Sequence, residues 1–347
     1  MQLAPTVQST EANYRRLHGG KPTAFIDYFI AGDTTFVFDA LQSEEGSRYH
    51  GKYNRNAVLL LGTQELEPVA NFRWVPFEQI KRAVETPNIL NTDSRSVLFC
   101  LDWKYLTWPQ LPFSVARSDL SLLMARSYNQ PLSEGGTTPF EALAWLARLR
   151  ATVSFCAELI PIEGLKNWVI EEGRIAERTT DLGFCARQFR VIASQREVPF
   201  WDQPLIDSGT RGRILLLCQL RDDVLQFLIA ASYEIGFLEG IQLSATIVVP
   251  PGKEDYSLAP ADRRLLDLAG PNTGSRLIAS CLQSEEGGRF YQDENRYEIV
   301  MLDPAADVPR SDEHRWMTLS QIMALKSAAG VFTIELRCIL VLLFKFL

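Results

Sequence analysis

Leu41-Gln42-Ser43-Glu44-Glu45-Gly46 returns letter for letter as Leu282-Gln283-Ser284-Glu285-Glu286-Gly287, and this recurrence decides the fold. At the offset that carries Leu41 onto Leu282, 241 residues, Arg48 falls on Arg289, Tyr49 on Phe290, Asn54 on Asn295 and Arg55 on Arg296. One residue more, an offset of 242, carries Arg73-Trp74 onto Arg315-Trp316, Gln79-Ile80 onto Gln321-Ile322 and Arg95 onto Arg337. One residue fewer, 240, carries Gln2-Leu3 onto Gln242-Leu243 and Thr6 onto Thr246. A period this long predicts two copies of a whole domain, not a solenoid of short units.

Working outward in the first copy, Gln2 to Gln8 reads as extended, and Ser9 or Thr10 is placed to cap a short helix carrying Asn13 and Tyr14. Leu17-His18-Gly19-Gly20-Lys21-Pro22 is a loop whose glycines serve either a plain turn or a close backbone approach to a ligand. Phe25 to Ile30 is a helix or a strand, and Gly32-Asp33 a turn. Ala57 to Leu61 is a buried strand, and Trp74 to Val84 a helix with Ile80 and Val84 on one face. Trp108-Pro109 and Leu111-Pro112 break the chain in a linker, and Thr138-Pro139 opens a helix running towards Phe155. The second copy adds a preamble. It contains the alternating strand Gln188–Ala193, the segment Phe200–Ile206, and a hairpin of Arg213–Leu220 and Val224–Ala230 turning through Arg221-Asp222-Asp223. These elements predict an α+β chain: a first domain over 1–102, a linker over 103–138, and a second domain with its preceding helix over 139–347.

Composition narrows the function classes. With 46% hydrophobic and 22% charged residues, the chain has the make-up of a soluble globular protein. A net charge of −7 with scattered basic residues offers no stripe for phosphates, so no nucleic-acid partner is expected. Cys100, Cys156, Cys185, Cys218, Cys281 and Cys338 are far apart, which argues against zinc or a disulfide framework and for reduced thiols in the cytoplasm. Met1 leads straight into polar, patterned sequence, so no secretory leader is expected. The apolar run Cys338–Phe344 is too short to cross a bilayer.

The motifs Gln2-Leu3-x-Pro5-Thr6-Val7-Gln8, Asn13-Tyr14-x-Arg16, His18-Gly19-Gly20, Leu41 to Arg48, Asn54-Arg55-Asn56 and Phe72-Arg73-Trp74 occur in that order. In the second copy, Phe200-Trp201-Asp202-Gln203-Pro204, Ser284 to Phe290 and Asn295-Arg296-Tyr297 follow. Together they resemble the NDP-hexose 2,3-dehydratase family across nearly the whole chain outside the linker. The resemblance implies two Nudix-like mixed-sheet domains, the first incomplete here, in a cytoplasmic homodimer of deoxysugar biosynthesis. Its substrate would be a dTDP-4-keto-6-deoxyglucose, dehydrated across C2 and C3 without a cofactor to a 3,4-diketo sugar that a downstream ketoreductase takes up. No metal is expected. The carboxylate box of the Nudix hydrolases does not occur in the sequence, and adjacent glutamates such as Glu44 and Glu45 cannot both face one site on a strand.

Elimination next to a ketone needs a base for the C3 proton and a proton donor for the C2 hydroxyl. His18, Glu45 and Tyr14 are the candidate proton carriers, with Tyr233 and Glu234 a further pair. His18 is equally readable as a surface or core histidine. Arg48, Arg55, Arg289 and Arg296 are read either as clamps on the diphosphate or as braces for Glu44 and Glu285. Trp201 or Tyr14 is a candidate to stack on thymine, or else is core. The remaining substrate-binding candidates are Thr6, Gln8, Gly19, Gly20, Lys21, Gln42, Ser43 and Asn54 in the first copy, with Gln203, Ser284 and Glu286 in the second. Where the first copy reads Thr6-Val7-Gln8, the second reads Thr246-Ile247-Val248, running on to Gly252 with no counterpart of His18-Gly19-Gly20. A catalytically idle nucleotide-sugar-binding or dimerisation module is the alternative function, and an unrelated nucleotide hydrolase a third. Gln242 is preceded by strands that Gln2 lacks, and Cys338–Phe344 is apolar where the first copy turns polar. Both ends are therefore expected to depart from the family's architecture, leaving an uncovered sheet edge.

Overall fold

The computed structural model describes residues 2–31, 35–67, 69–107, 113, 118–153, 157–177, 184–193, 196–251 and 258–347. The expected turn at Gly32-Asp33, the breaks at Trp108-Pro109 and Leu111-Pro112, Cys156 and Gly252 lie outside these residues. The architecture is mixed α+β with several sheets. In chain order come α1 (Glu11–Tyr14), α2 (Asp27–Ile30), β1 (Phe36–Ser43), β2 (Tyr53–Leu59), α3 (Phe77–Glu85), α4 (Thr92–Cys100), α5 (Asp119–Asn129) and α6 (Pro139–Thr152). Then follow β3 (Trp168–Glu171), β4 (Arg174–Glu177), β5 (Cys185–Ile192), β6 (Phe200–Asp207), β7 (Gly212–Arg221), β8 (Val224–Tyr233), β9 (Ile241–Ser244) and β10 (Ile247–Val249). The chain closes with α7 (Pro260–Leu268), β11 (Arg276–Ser284), β12 (Glu294–Met301), β13 (His314–Met317), α8 (Leu319–Ala324) and α9 (Ile334–Leu340).

β1 and β2 form a two-stranded antiparallel sheet. A larger sheet runs β11-β12-β7-β8-β13, with β10 added to β7 and β9 to β8, and β3-β4-β5-β6 make a third. The β7–β8 turn is tight because Asp222 (φ 48°) and Asp223 (φ 61°) both take left-handed backbone, which Asp tolerates and the primed hairpin turns require. Local sequence also fixes the helix starts. Thr138 and Glu141 close a capping box ahead of Pro139 on α6, and Asn91 and Thr333 cap α4 and α9 through their side chains.

The two recurring segments are hairpin strands in the same register. Leu41, Gln42 and Ser43 pair with Arg55, Asn54 and Tyr53, while Leu282, Gln283 and Ser284 pair with Arg296, Asn295 and Glu294. Each hairpin has its register shift at the matching place, Phe36/Phe38 and Leu277/Ala279. The bonds joining the hairpins to the rest of the chain cross over. Arg95 on α4 donates to Ser284 O at 2.9 Å, and Arg337 on α9 donates to Ser43 O at 2.6 Å. Gln2 donates to the Ser284 hydroxyl, and Ser43 donates to Gln242 at 2.7 Å. Gln42 reaches Lys326 O and Gln283 reaches Val84 O. Leu3 and Leu243 each exchange two backbone bonds with the residues just ahead of α4 and α9, respectively. α4 packs directly on α9, so the seam between the halves is itself core.

Two stretches behave differently from the sequence reading. Segment 103–138, read as a linker, holds α5 and buries Trp103, Phe113 and Met124, with Tyr128 stacked on Trp103 at 5.8 Å. Ser127 of α5 donates to Leu225 O at 2.6 Å and accepts from Leu319 N at 2.9 Å, so this helix joins the second half's core. The apolar run Cys338–Phe344 is buried at every residue, with Phe344 meeting Phe77 and Trp103 edge-on. It is hydrophobic all round because it is enclosed by α3, α5 and β11.

Candidate functional site

Each hairpin ends in two adjacent glutamates, and alternation at the strand end sends their side chains opposite ways. Glu44 and Glu286 face one cluster, and Glu45 and Glu285 the other. Each hairpin thus contributes one carboxylate to each cluster.

In the first cluster, Arg289 Nη1 lies 2.7 Å from Glu44 and Arg289 Nε lies 3.2 Å from Glu286. Asn54 donates to Glu44. Gln8, on the extended N-terminal segment, donates its amide to Asp93 of α4 and, at 3.2 Å, to Glu286. Asn91 donates to the Gln8 carbonyl at 3.2 Å. Burial pushes the Asp93 carboxyl up to about 6, with Glu44 adding to the shift and Arg289 opposing it. Burial and the neighbouring Asp93 push Glu286 up to about 7, against Arg289 and the Gln8 hydrogen bond. Both are poised near neutrality, where a carboxyl can either take or give a proton.

In the second cluster, Glu285 accepts from Asn295 at 2.6 Å and from the Tyr297 hydroxyl at 3.2 Å. Glu45 accepts from Ser47 at 3.0 Å. Burial pushes Glu45 up to about 8, helped by Glu285 and Glu335 and opposed by Arg48. Glu234, at the end of β8, is held well above the carboxylate range by burial and by Glu335 and Glu45. The Arg48 guanidinium sits 4.3 Å over the Phe184 ring, and its Nε is buried without a hydrogen-bond partner.

The clusters differ in access. A Cβ on Gly46, beside Glu45, would stand 2.5 Å from the Phe237 ring, because the β8–β9 loop closes that side. A Cβ on Gly287, beside Glu286, would meet nothing within 4 Å.

Of the residues singled out in the sequence, Gln8, Asn54, Glu286 and Arg289 meet in the first cluster and Glu45, Arg48 and Glu234 in the second. Gln203 bonds Gly288 O at 2.7 Å, next to the first cluster, and accepts from Trp201. Gln42, Ser43 and Ser284 are engaged in the seam between the halves. Arg55 is bound by both oxygens of Asp39 at 2.7 Å, on the outer face of β1–β2, and Arg296 is exposed. His18 is exposed on the turn after α1, whose Tyr14 is half-buried. Gly19 takes φ +69°, and Gly20 admits the close approach of Glu197 O, which also accepts from Lys21 N. Thr6 and Lys21 are exposed, and Tyr233 is 41% exposed.

Asp93 and Glu335 were not singled out from the sequence. The offset of 242 that joins Arg95 to Arg337 also joins them, so an acid precedes each repeated arginine by two residues. Two surface cavities, of about 150 and 570 Å³, share no residue with either cluster. Among the described residues no three His, Cys, Asp or Glu side chains converge to hold a metal ion.

A family model described as NDP-hexose 2,3-dehydratase matches residues 1–101 and 140–343. Three relatives are each named dTDP-4-dehydro-6-deoxy-alpha-D-glucopyranose 2,3-dehydratase and are each 31% identical to this chain. The protein from Saccharopolyspora spinosa aligns over 97% of this chain and 68% of its own length, that from Amycolatopsis orientalis over 98% and 66%, and that from Streptomyces violaceoruber over 98% and 73%. The chain therefore spans about two thirds of these relatives' length. A solved ADP compounds hydrolase is 17% identical, covering 41% of this chain and 74% of its own, with a TM-score of 0.26.

Proposed function

Because the chain belongs to the NDP-hexose 2,3-dehydratase family, we propose that it dehydrates a dTDP-4-keto-6-deoxy-hexose across C2 and C3 in deoxysugar biosynthesis. The ketone at C4 acidifies the C3 proton. A base removes that proton, the C–H electrons form the C2=C3 bond, and the C2 hydroxyl leaves as water on receiving a proton. The C3 enol then takes up a proton at C2 and becomes the second ketone. The observation that carries this reading to particular residues is the first cluster: two carboxyls, Asp93 and Glu286, joined by one amide beside a fixed guanidinium, next to an open loop. We assign Asp93 as the base and Glu286, which faces Arg289 and the open loop, as the proton donor; burial raises both carboxyls towards neutrality. Arg289 supplies the positive charge for the enolate oxygen or the diphosphate.

The chain is read as two copies of one domain. The matched registers, the matched register shifts and the crossed Arg95 and Arg337 bonds support this. A cytoplasmic homodimer passing its product to a ketoreductase is the setting that goes with the family. Glu45 supports a second reading, in which the productive site is the other cluster and its carboxyl, raised by burial to about 8 beside Glu285 and Arg48, is the acid, with Tyr14 and His18 left as the further candidate proton carriers.

Turnover of the 4-keto sugar, trapped by a ketoreductase, separates the two. Glu286→Gln is expected to lower kcat by about a hundredfold or more, the usual worth of a positioned proton-transfer group. Glu45→Gln is expected to leave most of the activity. The reverse pattern would move the reaction to the second cluster.

A further inference from the structure

We propose that Gln8 is a positioning residue of the dehydration site, its side-chain amide bridging Asp93 and Glu286 so that the two acids do not share one proton. The inference rests on the dehydration site proposed above. Gln8 Nε2 carries two hydrogens and has two acceptors, Asp93 Oδ2 and Glu286 Oε1. Asn91 Nδ2 donates to the other end of the amide, so the nitrogen is the end that faces the acids. Asn91 is itself fixed, because its Oδ1 caps α4 by accepting from Ser94 N at 2.8 Å. Other charges also face the pair: Glu44 and Arg289 from the hairpin ends, Arg95 from α4 and Arg337 from α9.

Two neighbouring carboxyls with no donor between them hold one proton in common, and the second proton comes off only at a raised pH, so the base is ionised later. A donor to each favours the ionised form of both and brings the base into action at a lower pH. The second half of the chain lacks this device. At the position 240 residues after Gln8 stands Val248, which pairs with Ile214 in the large sheet. In the cluster on that side burial raises Glu45, Glu234 and Glu335, with Glu335 adding to the first two and Glu285 to the third, and among the described residues no side-chain amide bridges them as Gln8 does. The amide is thus present where the loop is open and absent where Phe237 closes it.

The test is the pH profile of kcat/KM for the full chain and for Gln8→Val, which copies the second half's own residue. Trapped turnover would be read from about pH 5 to 9. With the amide gone, the limb governed by the base should move up by at least about half a pH unit, and kcat at pH 7 should fall by up to about tenfold. KM and dTDP affinity should hold within about twofold, and activity should recover at the alkaline end. Asn91→Ser keeps the α4 cap but removes the donor to Gln8, and should move the same limb the same way by less. An unmoved limb in Gln8→Val overturns the proposal, as does an equal loss at every pH. If instead Glu286→Gln retains wild-type turnover, it is the dehydration site that has been misplaced, whatever Gln8→Val shows.

Discussion

A carboxyl pushed above its ordinary value leaves a signature in stability as well as in rate. Glu45 has an ordinary value of 4.5 and stands at about 8 in the folded chain, so the folded state binds more protons than the unfolded one between those values. Its contribution is complete below 4.5 and is lost as the pH rises to 8; Asp93 and Glu286 act in the same sense over lower windows, up to about 6 and 7. Thermal melts of the wild type are therefore expected to fall in Tm between about pH 4.5 and 8. Glu45→Gln should reduce that fall and overtake the wild type at the alkaline end. A pH-independent gap between the two would show that Glu45 is not held protonated. Most residues of both clusters were visible in the repeated segment itself, because Glu44, Glu45, Arg48 and their partners recur at one offset. Gln8 was legible as one motif residue among several. Its bond to Asp93, 85 residues on, follows from where α4 lies and from nothing local in the sequence.

Local chemistry made several elements readable in advance. The Asp222-Asp223 turn and the Thr138-Pro139 helix start each follow from a few neighbouring residues, whereas the strand expected to be buried over Ala57 to Leu61 ends at Leu59, is half-buried over Ala57–Leu59 and leaves Leu60 exposed. Prolines and glycines mark 103–138 as a linker in the sequence, whereas Trp103 packs on Phe113, Tyr128 and Phe344, and Ser127 of α5 bonds β8 and α8, contacts reaching as far along the chain as Phe344 that no local signal shows. The apolar end of the chain looked foreign for a related reason: a helix enclosed on all sides has no polar stripe to mark its period. At this scale the strongest expectation concerns the crossed arginines. Arg337 is buried and donates to Phe332 O, Ser96 Oγ and Ser43 O, so it ties α9 to the first hairpin. Arg337→Met leaves those acceptors unpaired and should cost about 3–5 kcal/mol in denaturant unfolding. Arg55→Met, on an exposed pair with Asp39, should cost no more than about 1 kcal/mol. Equal costs at the two positions would refute the bracing role.

For the whole molecule, the two clusters belong to neither half alone. Each hairpin sends one glutamate to each cluster, and Arg95 and Arg337 each reach across to the other hairpin, so both hairpins must be assembled for either cluster to exist. The sequence showed the recurring segments but not the crossing, since an offset matches like with like and does not say which hairpin a side chain will touch. The dTDP moiety is expected to bind with unchanged affinity in chelator, measured by calorimetry; a strict Mg²⁺ requirement would contradict a site built from hydrogen bonds and guanidinium charge. The central claim is that Asp93 removes the C3 proton and Glu286 protonates the leaving hydroxyl. Its most direct measurement follows deuterium at C3 of dTDP-4-keto-6-deoxyglucose by NMR during incubation with the wild type, Asp93→Asn and Glu286→Gln. The wild type should lose the label as product forms, Asp93→Asn should retain it, and Glu286→Gln should lose it to solvent without eliminating water. Loss of label and formation of product at wild-type rates in both variants would contradict the account.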